Sequence, residues 1–201
     1  MRSRFLPEGR LLHTPENEAA CASCDGLRRA MEEGTVLEGV AQLCDGAHNL
    51  LVSVGPFTGF LPREEAALGI AEGTTREIAI LSRVGKPVCF QITALEESGG
   101  VLRPRLSRRR AQQAALDAML AGLHPGCILP AVVTHLESFG AFVDIGCGVP
   151  SLIGIENISV SRIPPPDQRF RVGQAIFAVV QELDPKLGRV YLTHRGLLGT
   201  W

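Results

Sequence analysis

The 201-residue sequence has no apolar run that approaches the roughly 20 residues a membrane-spanning helix needs. Its basic start, with Arg2 and Arg4, is not followed by an apolar segment, so it does not resemble a secretory signal. We therefore expect a cytoplasmic protein without a membrane partner. In that reducing compartment the six cysteines are expected to remain thiols.

Motifs of the common catalytic sites are also missing. The chain has no phosphate-binding glycine loop, no Gly-x-Ser-x-Gly elbow and no His-Glu-x-x-His zinc motif. The acidic pairs Glu64-Glu65 and Glu96-Glu97 each follow a turn, which favours solvated corners over a catalytic cluster. We therefore expect a protein that is not an enzyme and that holds no cofactor.

Cys21 and Cys24 have the spacing of a zinc-ligand pair, but the sequence has no second pair of this kind. A structural zinc site takes four ligands. The other interpretation is that both thiols lie on one helix face and pack as small apolar residues. We favour packing and expect no metal.

Charged residues nearly balance, with 20 Lys and Arg against 21 Asp and Glu, but they are unevenly distributed. Residues 34–100 carry a net charge of −4, whereas residues 101–125 carry +4. The basic segment is either solvated charge at a domain boundary or a site that attracts an anionic polymer. Its arginines begin a predicted helix, where the dipole disfavours cations, and this favours a functional role. The expected phosphate contacts are Arg108, Arg109 and Arg110.

The two halves of the chain repeat one another. Arg83-Val84-Gly85 recurs as Arg171-Val172-Gly173, and Val52-Ser53-Val54-Gly55 corresponds to Val143-Asp144-Ile145-Gly146. Each copy has short segments rich in Val, Ile and Phe, separated by Gly and Pro, which predicts strands and turns. Five such strands suit a small closed Greek-key barrel.

We therefore predict a mainly β fold with two tandem five-stranded OB-fold Greek-key barrels, an N-terminal helical segment and a helical inter-domain linker. The predicted domains are 1–33 (helical), 34–107 (first barrel), 108–125 (basic helical linker) and 126–201 (second barrel). The N-terminal helix should begin after Thr14 and end near Glu33, with a break at Gly26 left open. The strands expected in the second barrel are Ile128–Leu136, Gly140–Ile145, Ser151–Ile155, Ala175–Leu183 and Arg189–Thr193.

The segment from Phe139 to Ile145 contains a candidate binding surface. Side chains alternate across a strand, so an inward Val143 leaves Phe142 and Asp144 outward. A bulge at Gly140 would bring Phe139 onto the same surface. Two exposed rings make a stacking platform for unpaired bases. The alternative is that Phe139 caps the barrel and Phe142 packs on the linker helix.

The second copy also carries a specific series of motifs. They are Gly126, Phe139-Gly140-Ala141-Phe142-Val143-Asp144-Ile145-Gly146, Ser151-Leu152-Ile153, Val172-Gly173-Gln174 and Arg189-Val190-Tyr191-Leu192-Thr193. This series resembles the S-one (S1) RNA-binding motif, which is named after a bacterial small-subunit ribosomal protein. The resemblance covers residues 126–195, and the first copy matches more loosely.

The resemblance implies an OB-fold barrel that binds single-stranded RNA, with mRNA as ligand in translation and the small ribosomal subunit as a partner. Stacking by two phenylalanines and phosphate or base contacts from the neighbouring turn are implied. The implied RNA contacts are Phe139, Phe142, Asp184, Arg189, Lys186 and Arg162. The alternative function is a non-catalytic protein-interaction adaptor or an accessory module of an RNA-processing complex.

The sequence departs from the family pattern in two places. The family often has His where Gly154 stands, so one base contact is expected to be missing. In the first copy His48 aligns with Phe139 and Leu51 with Phe142, so both rings are lost. Because that copy is also acidic, we expect that it is not the main RNA site and that it docks a protein or serves as a scaffold. Family members commonly continue into a further barrel, so we expect the chain to be a fragment or a truncated form.

Overall fold

A computed structural model describes residues 5–158 and 170–194 of the chain. The chain divides into two compact units. The first unit comprises Glu8–Ala114, and the second comprises Ala115–Trp201 together with Met1–Pro7. No helix within the described residues is long and apolar enough to cross a membrane.

The first unit contains a closed five-stranded barrel with the strand order β1-β2-β3-β5-β4. Its core consists of inward side chains at alternate strand positions, among them Val52, Val54 and Leu106, which are fully buried. This order, with β3 parallel to β5, matches the predicted OB-like Greek-key arrangement. The strands are β1 (Leu37–Cys44), β2 (Leu50–Val54), β3 (Phe57–Leu61), β4 (Pro87–Ser98) and β5 (Val101–Ser107).

Two helices precede the barrel, α1 (Pro15–Cys21) and α2 (Cys24–Glu33), where one helix was predicted. The break lies before Gly26, because the Ser23 side chain accepts a hydrogen bond from the Gly26 N–H at 3.1 Å and so begins a new helix. The break also separates the two thiols. Cys21 is buried and Cys24 is exposed, so the expectation that both pack on one helix face is wrong.

Two further helices belong to the first unit or begin in it. The short helix α3 (Ile78–Leu81) lies between β3 and β4, together with a 3-10 turn over Arg63–Glu65. Helix α4 (Arg108–Gly122) follows β5 directly and continues across the division between the two units. The predicted helix after Ser107 is therefore present.

The second unit contains a five-stranded sheet in the order β10-β9-β6-β7-β8. This is the cyclic order of the first barrel, opened between β8 and β10. In place of a strand ladder, the Ser151 hydroxyl donates a hydrogen bond to the Val190 carbonyl across this gap at 2.5 Å. The prediction of a closed second barrel is corrected accordingly for the residues that the structure describes. The strands are β6 (Ile128–Glu137), β7 (Gly140–Asp144), β8 (Pro150–Gly154), β9 (Ala175–Asp184) and β10 (Arg189–Thr193).

Asp144 ends β7 and is buried, although alternation predicted an outward side chain. Its carboxylate accepts hydrogen bonds from the N–H groups of Gly146 at 2.8 Å and Gly148 at 3.0 Å. The side chain is therefore covered by the tight turn that it holds together, and it is not available to a ligand.

Glu38 of β1 is buried beneath the N-terminal segment and is 2% exposed. The Gly9 N–H donates to its carboxylate at 2.9 Å, and the Asn17 amide bonds to the Glu38 backbone N–H and carbonyl at 2.8 and 3.0 Å. Burial raises the pKa of Glu38 from 4.5 to about 7, an effect that the hydrogen bond from Gly9 only partly offsets.

Glu38→Gln is expected to remove a pH dependence from the stability of the protein. The folded state holds the Glu38 proton more tightly than the unfolded state, so this stabilisation is complete below pH 4.5 and is lost as pH rises through about 7. The slope reaches at most about 1.4 kcal/mol per pH unit. Urea unfolding at several pH values from 5 to 8 measures it. Parallel curves for wild type and variant would contradict the expected titration.

Candidate nucleic-acid interface

Phe142 of β7 and Phe139, which directly precedes β7, lie side by side. The strand register is regular at Gly140, so the two rings meet without the bulge that was expected there. Their ring centroids are 6.1 Å apart and their planes are nearly perpendicular, at 89°. Phe139 is 52% exposed, which argues against a role in capping the sheet interior. A Cβ atom at Gly140 would lie 2.4 Å from the Ile153 carbonyl oxygen, so only glycine permits the close approach of β7 and β8 beside the rings.

His135 adds a third ring that the sequence pattern did not identify as an RNA contact. It lies on β6 directly opposite Phe142, with ring centroids 6.1 Å apart. Its side chain is 61% exposed, and Nε2 lies 2.6 Å from a carboxylate oxygen of Glu137. A register shift between Val133 and His135 places the ring here. We call Phe139, Phe142 and His135 the aromatic platform.

The turn between β9 and β10 carries the implied polar contacts. Asp184 lies opposite Arg189, and its carboxylate accepts hydrogen bonds from the N–H groups of Lys186 and Leu187, each at 3.1 Å. Asp184 therefore holds the turn, while the side chains of Lys186 and Arg189 are exposed. The structure thus gives Asp184 a local structural role that the resemblance did not imply.

The strand order relates Arg189 to the aromatic platform. Arg189 begins β10, and the next residue, Val190, bonds to Ser151 of β8. The neighbour of Ser151 along β8, Leu152, lies directly opposite Phe142. Strand β8 therefore lies between Arg189 and Phe142 in the strand order.

Gly154, where the family often has His, lies beside a carboxylate. A Cβ atom at this position would be 2.4 Å from Oε1 of Glu156, so the Glu156 side chain fills the space next to the glycine. This position therefore lacks the histidine that would contact a base. The carboxylate of Glu156 adds a negative charge near the aromatic platform. The sixth implied contact, Arg162, lies outside the described residues.

Arg108 was expected to contact phosphate, and this expectation is wrong. Its guanidinium is buried, donates to both carboxylate oxygens of Glu8 at 2.9 and 2.6 Å, and donates to the Ala66 carbonyl at 3.1 Å. The helix dipole disfavours a cation at this N-terminus. The Glu8 carboxylate, which comes from a distant part of the chain, compensates by pairing with the guanidinium.

The other two linker arginines differ from Arg108 and from each other. Arg109 donates to both carboxylate oxygens of Glu65 at 2.6 and 3.0 Å, and its hydrogen bond lowers the pKa of Glu65. Arg110 is exposed, and its N–H donates to the Ser107 hydroxyl at 3.0 Å, which begins helix α4. Of the three, Arg110 is therefore the arginine that presents its side chain most fully to solvent.

Residues 123–195 match the family model described as the S1 RNA binding domain. The chain is also 27% identical over 183 residues to small ribosomal subunit protein bS1 of Neisseria meningitidis, over 88% of this chain and 30% of that protein. Protein tex of Bordetella pertussis is 36% identical over 114 residues, which cover 56% of this chain and 14% of that protein. The chain spans less than half the length of these relatives.

Among solved structures, the a/eIF2alpha–aDim2p–rRNA complex of Pyrococcus horikoshii matches 37% of this chain and 45% of that chain, with a TM-score of 0.36 and 22% identity. The family match covers only the second copy, so a copy of this domain in the first barrel, over residues 34–107, stays a prediction. The aromatic platform and the Asp184–Arg189 turn both lie inside the region that matches the S1 RNA binding domain model.

Proposed function

We propose that the second unit binds single-stranded RNA by stacking bases on the aromatic platform. The observation that carries the proposal is the exposure of Phe139 beside Phe142 and His135 on a domain of RNA-binding type. Exposed rings on a β surface are costly to leave in water, and they suit the faces of unpaired bases. Similarity to bS1 supports mRNA as the RNA, translation as the process and the small ribosomal subunit as a partner.

Phosphate contacts would come from the cations beside the platform. Arg189 and Lys186 are exposed on the β9–β10 turn, and phosphate groups attract such side chains at low salt. The carboxylates of Glu137 and Glu156 lie beside the same surface and oppose this attraction. We therefore expect modest, strongly salt-dependent affinity.

Arg189→Ala is expected to flatten the salt dependence of RNA binding. Fluorescence anisotropy with a labelled, unstructured RNA of about 12 nucleotides, which is within the range of one OB-type site, would be measured over a salt series. The slope of log K against log salt should become shallower by about 0.7, the value for one phosphate contact on a single strand.

Arg171→Ala provides the matched control, because Arg171 is exposed and precedes β9 at the end remote from Asp184. It should leave the slope unchanged. Absence of binding by the wild-type chain at the lowest salt would refute the proposed function, and equal effects of the two substitutions would refute the placement of the phosphate contact at Arg189.

A further inference from the structure

A cross-strand row lies on the outside of the first barrel. Leu43 of β1 lies opposite Leu51 of β2, Leu51 opposite Phe60 of β3, and Phe60 opposite Arg105 of β5. Leu43 is 53% exposed, and the Arg105 guanidinium carbon lies 5.5 Å from the Phe60 ring centroid. We call these four residues the barrel-one row.

The barrel-one row occupies the same strand positions as the aromatic platform. Strand by strand, Leu51 on β2 corresponds to Phe142 on β7, and Phe60 on β3 corresponds to Leu152 on β8. In the second unit the phenylalanine precedes the leucine in strand order, whereas in the first unit the leucine is on the earlier strand and the phenylalanine is on the next. The sequence shows that Leu51 replaces a ring. Only the strand register shows that Phe60, on the next strand, supplies a ring beside it.

An acid–arginine pair also recurs at corresponding positions. Glu96 lies opposite Arg103 across β4 and β5, as Asp184 lies opposite Arg189 across β9 and β10. Arg103 is exposed. The first barrel therefore carries both components of the candidate interface of the second unit, a ring and a flanking cation.

Arg105 supplies the stacking surface. A guanidinium is planar, and bases stack on such planes as well as on rings. Arg105 pairs with Glu96 at 3.6 Å, but both side chains are about half exposed, so solvent screens the pair and leaves the guanidinium available.

Part of the negative charge of residues 34–100 is buried or paired with cations. Glu38 is buried, and Glu65 is paired with Arg109. Glu77 is paired with Arg63 and His48. Several of the negative charges are therefore balanced or enclosed away from Phe60, while Glu96 faces two arginines.

We propose that the barrel-one row is a second contact for single-stranded RNA, with a base stacked on the Arg105–Phe60 pair and a phosphate held by Arg103. The proposal rests on the proposed function of the second unit only for the choice of RNA as the ligand. A strand long enough to reach both units would then bind more tightly than a short one, because the second contact becomes intramolecular.

The test compares Arg105→Ala with wild type for labelled RNAs of about 12 and about 40 nucleotides, lengths chosen to fit one site of the OB type and more than one. Affinity for the longer RNA should fall about tenfold, as expected for the loss of one stacked base. Affinity for the shorter RNA should change less than about twofold, since the aromatic platform still binds it. Arg105→Lys keeps the charge but not the plane, so it should lower affinity while the salt slope remains.

Arg28→Ala is the control for charge, because Arg28 is exposed on α2 and its loss should not alter binding of either RNA. Unchanged affinity of Arg105→Ala for the longer RNA overturns this proposal, whatever the aromatic platform does. If Phe142→Ala has no effect but Arg105→Ala weakens binding, the proposed function of the second unit fails and this proposal stands. A circular dichroism spectrum like that of wild type confirms that the exposed substitution leaves the fold intact.

Discussion

Glu8→Gln is expected to lower the free energy of unfolding by about 3–5 kcal/mol, as found when one partner of a buried ion pair is removed. The Glu8 side chain is 2% exposed, and both of its carboxylate oxygens accept hydrogen bonds from Arg108. A third hydrogen bond comes from the Cys89 N–H at 2.8 Å, and Arg83 lies 3.5 Å away. Glutamine would leave the Arg108 charge buried without its counter-ion.

The same network predicts a loss of stability in acid. Burial alone would raise the pKa of Glu8, but the charge of Arg108 and its hydrogen bonds, together with Arg83, lower the pKa below its usual 4.5. The contribution to stability is therefore complete above pH 4.5 and is lost as pH falls through the folded-state pKa. Glu8→Gln should remove this part of the acid sensitivity.

Asp25→Asn is the matched control for the Glu8 substitution. Asp25 pairs with Arg28 at 3.6 Å in an exposed position on α2, so its loss should cost less than about 1 kcal/mol. The double variant Glu8→Gln with Arg108→Met should recover part of the lost stability, because no unpaired guanidinium remains buried. Chemical denaturation of the full chain measures all three, and equal effects of Glu8→Gln and Asp25→Asn would contradict the expectation.

Phe142→Ala is expected to weaken binding of a 12-nucleotide single-stranded RNA by about 1–3 kcal/mol, the usual contribution of one stacked base. Phe142 is the central ring of the aromatic platform, since both Phe139 and His135 lie 6.1 Å from it. Its loss removes one stacking face and also the support of the other two rings. Anisotropy titration at constant salt measures the change.

Phe177→Ala is the control for this experiment. Phe177 is 61% exposed on β9 of the same sheet, opposite Pro130, and it is outside the aromatic platform. Its replacement removes the same side chain outside the proposed site, so RNA affinity should be unchanged. Equal losses for the two phenylalanines would show non-specific apolar contact, and no loss for Phe142→Ala would exclude stacking at this position.

The strands of the second unit could be predicted from sequence because each is a short segment rich in Val, Ile or Phe that is bounded by Gly or Pro. All five predicted strands are present, and β10 has the predicted bounds. The N-terminal helical segment was left open to a break at Gly26, and the structure shows the break. Ser23 accepts a hydrogen bond from the Gly26 N–H, which begins the second helix.

Sequence alone could identify only those site residues that lie close together in the chain. Phe142 was expected to point outward from β7, and Phe139 directly precedes that strand, so both rings could be named from a short segment of sequence. His135 joins them through a register shift that single-sequence alternation does not reveal. Arg108 could not be assigned because its partner, Glu8, is 100 residues away.

That separation has a consequence for synthesis on the ribosome. The strand β5 closes the barrel of the first unit, and Arg108 follows it immediately in the chain. A chain that grows at 5–20 residues per second presents Glu8 roughly 5–20 s before its partner exists. Until then the carboxylate lacks its main counter-ion, and β4 has β1 but not β5 beside it. We therefore expect barrel closure and the full burial of Glu8 to occur together, late in co-translational folding of this unit, and we expect a pause in translation before Arg108 to delay both.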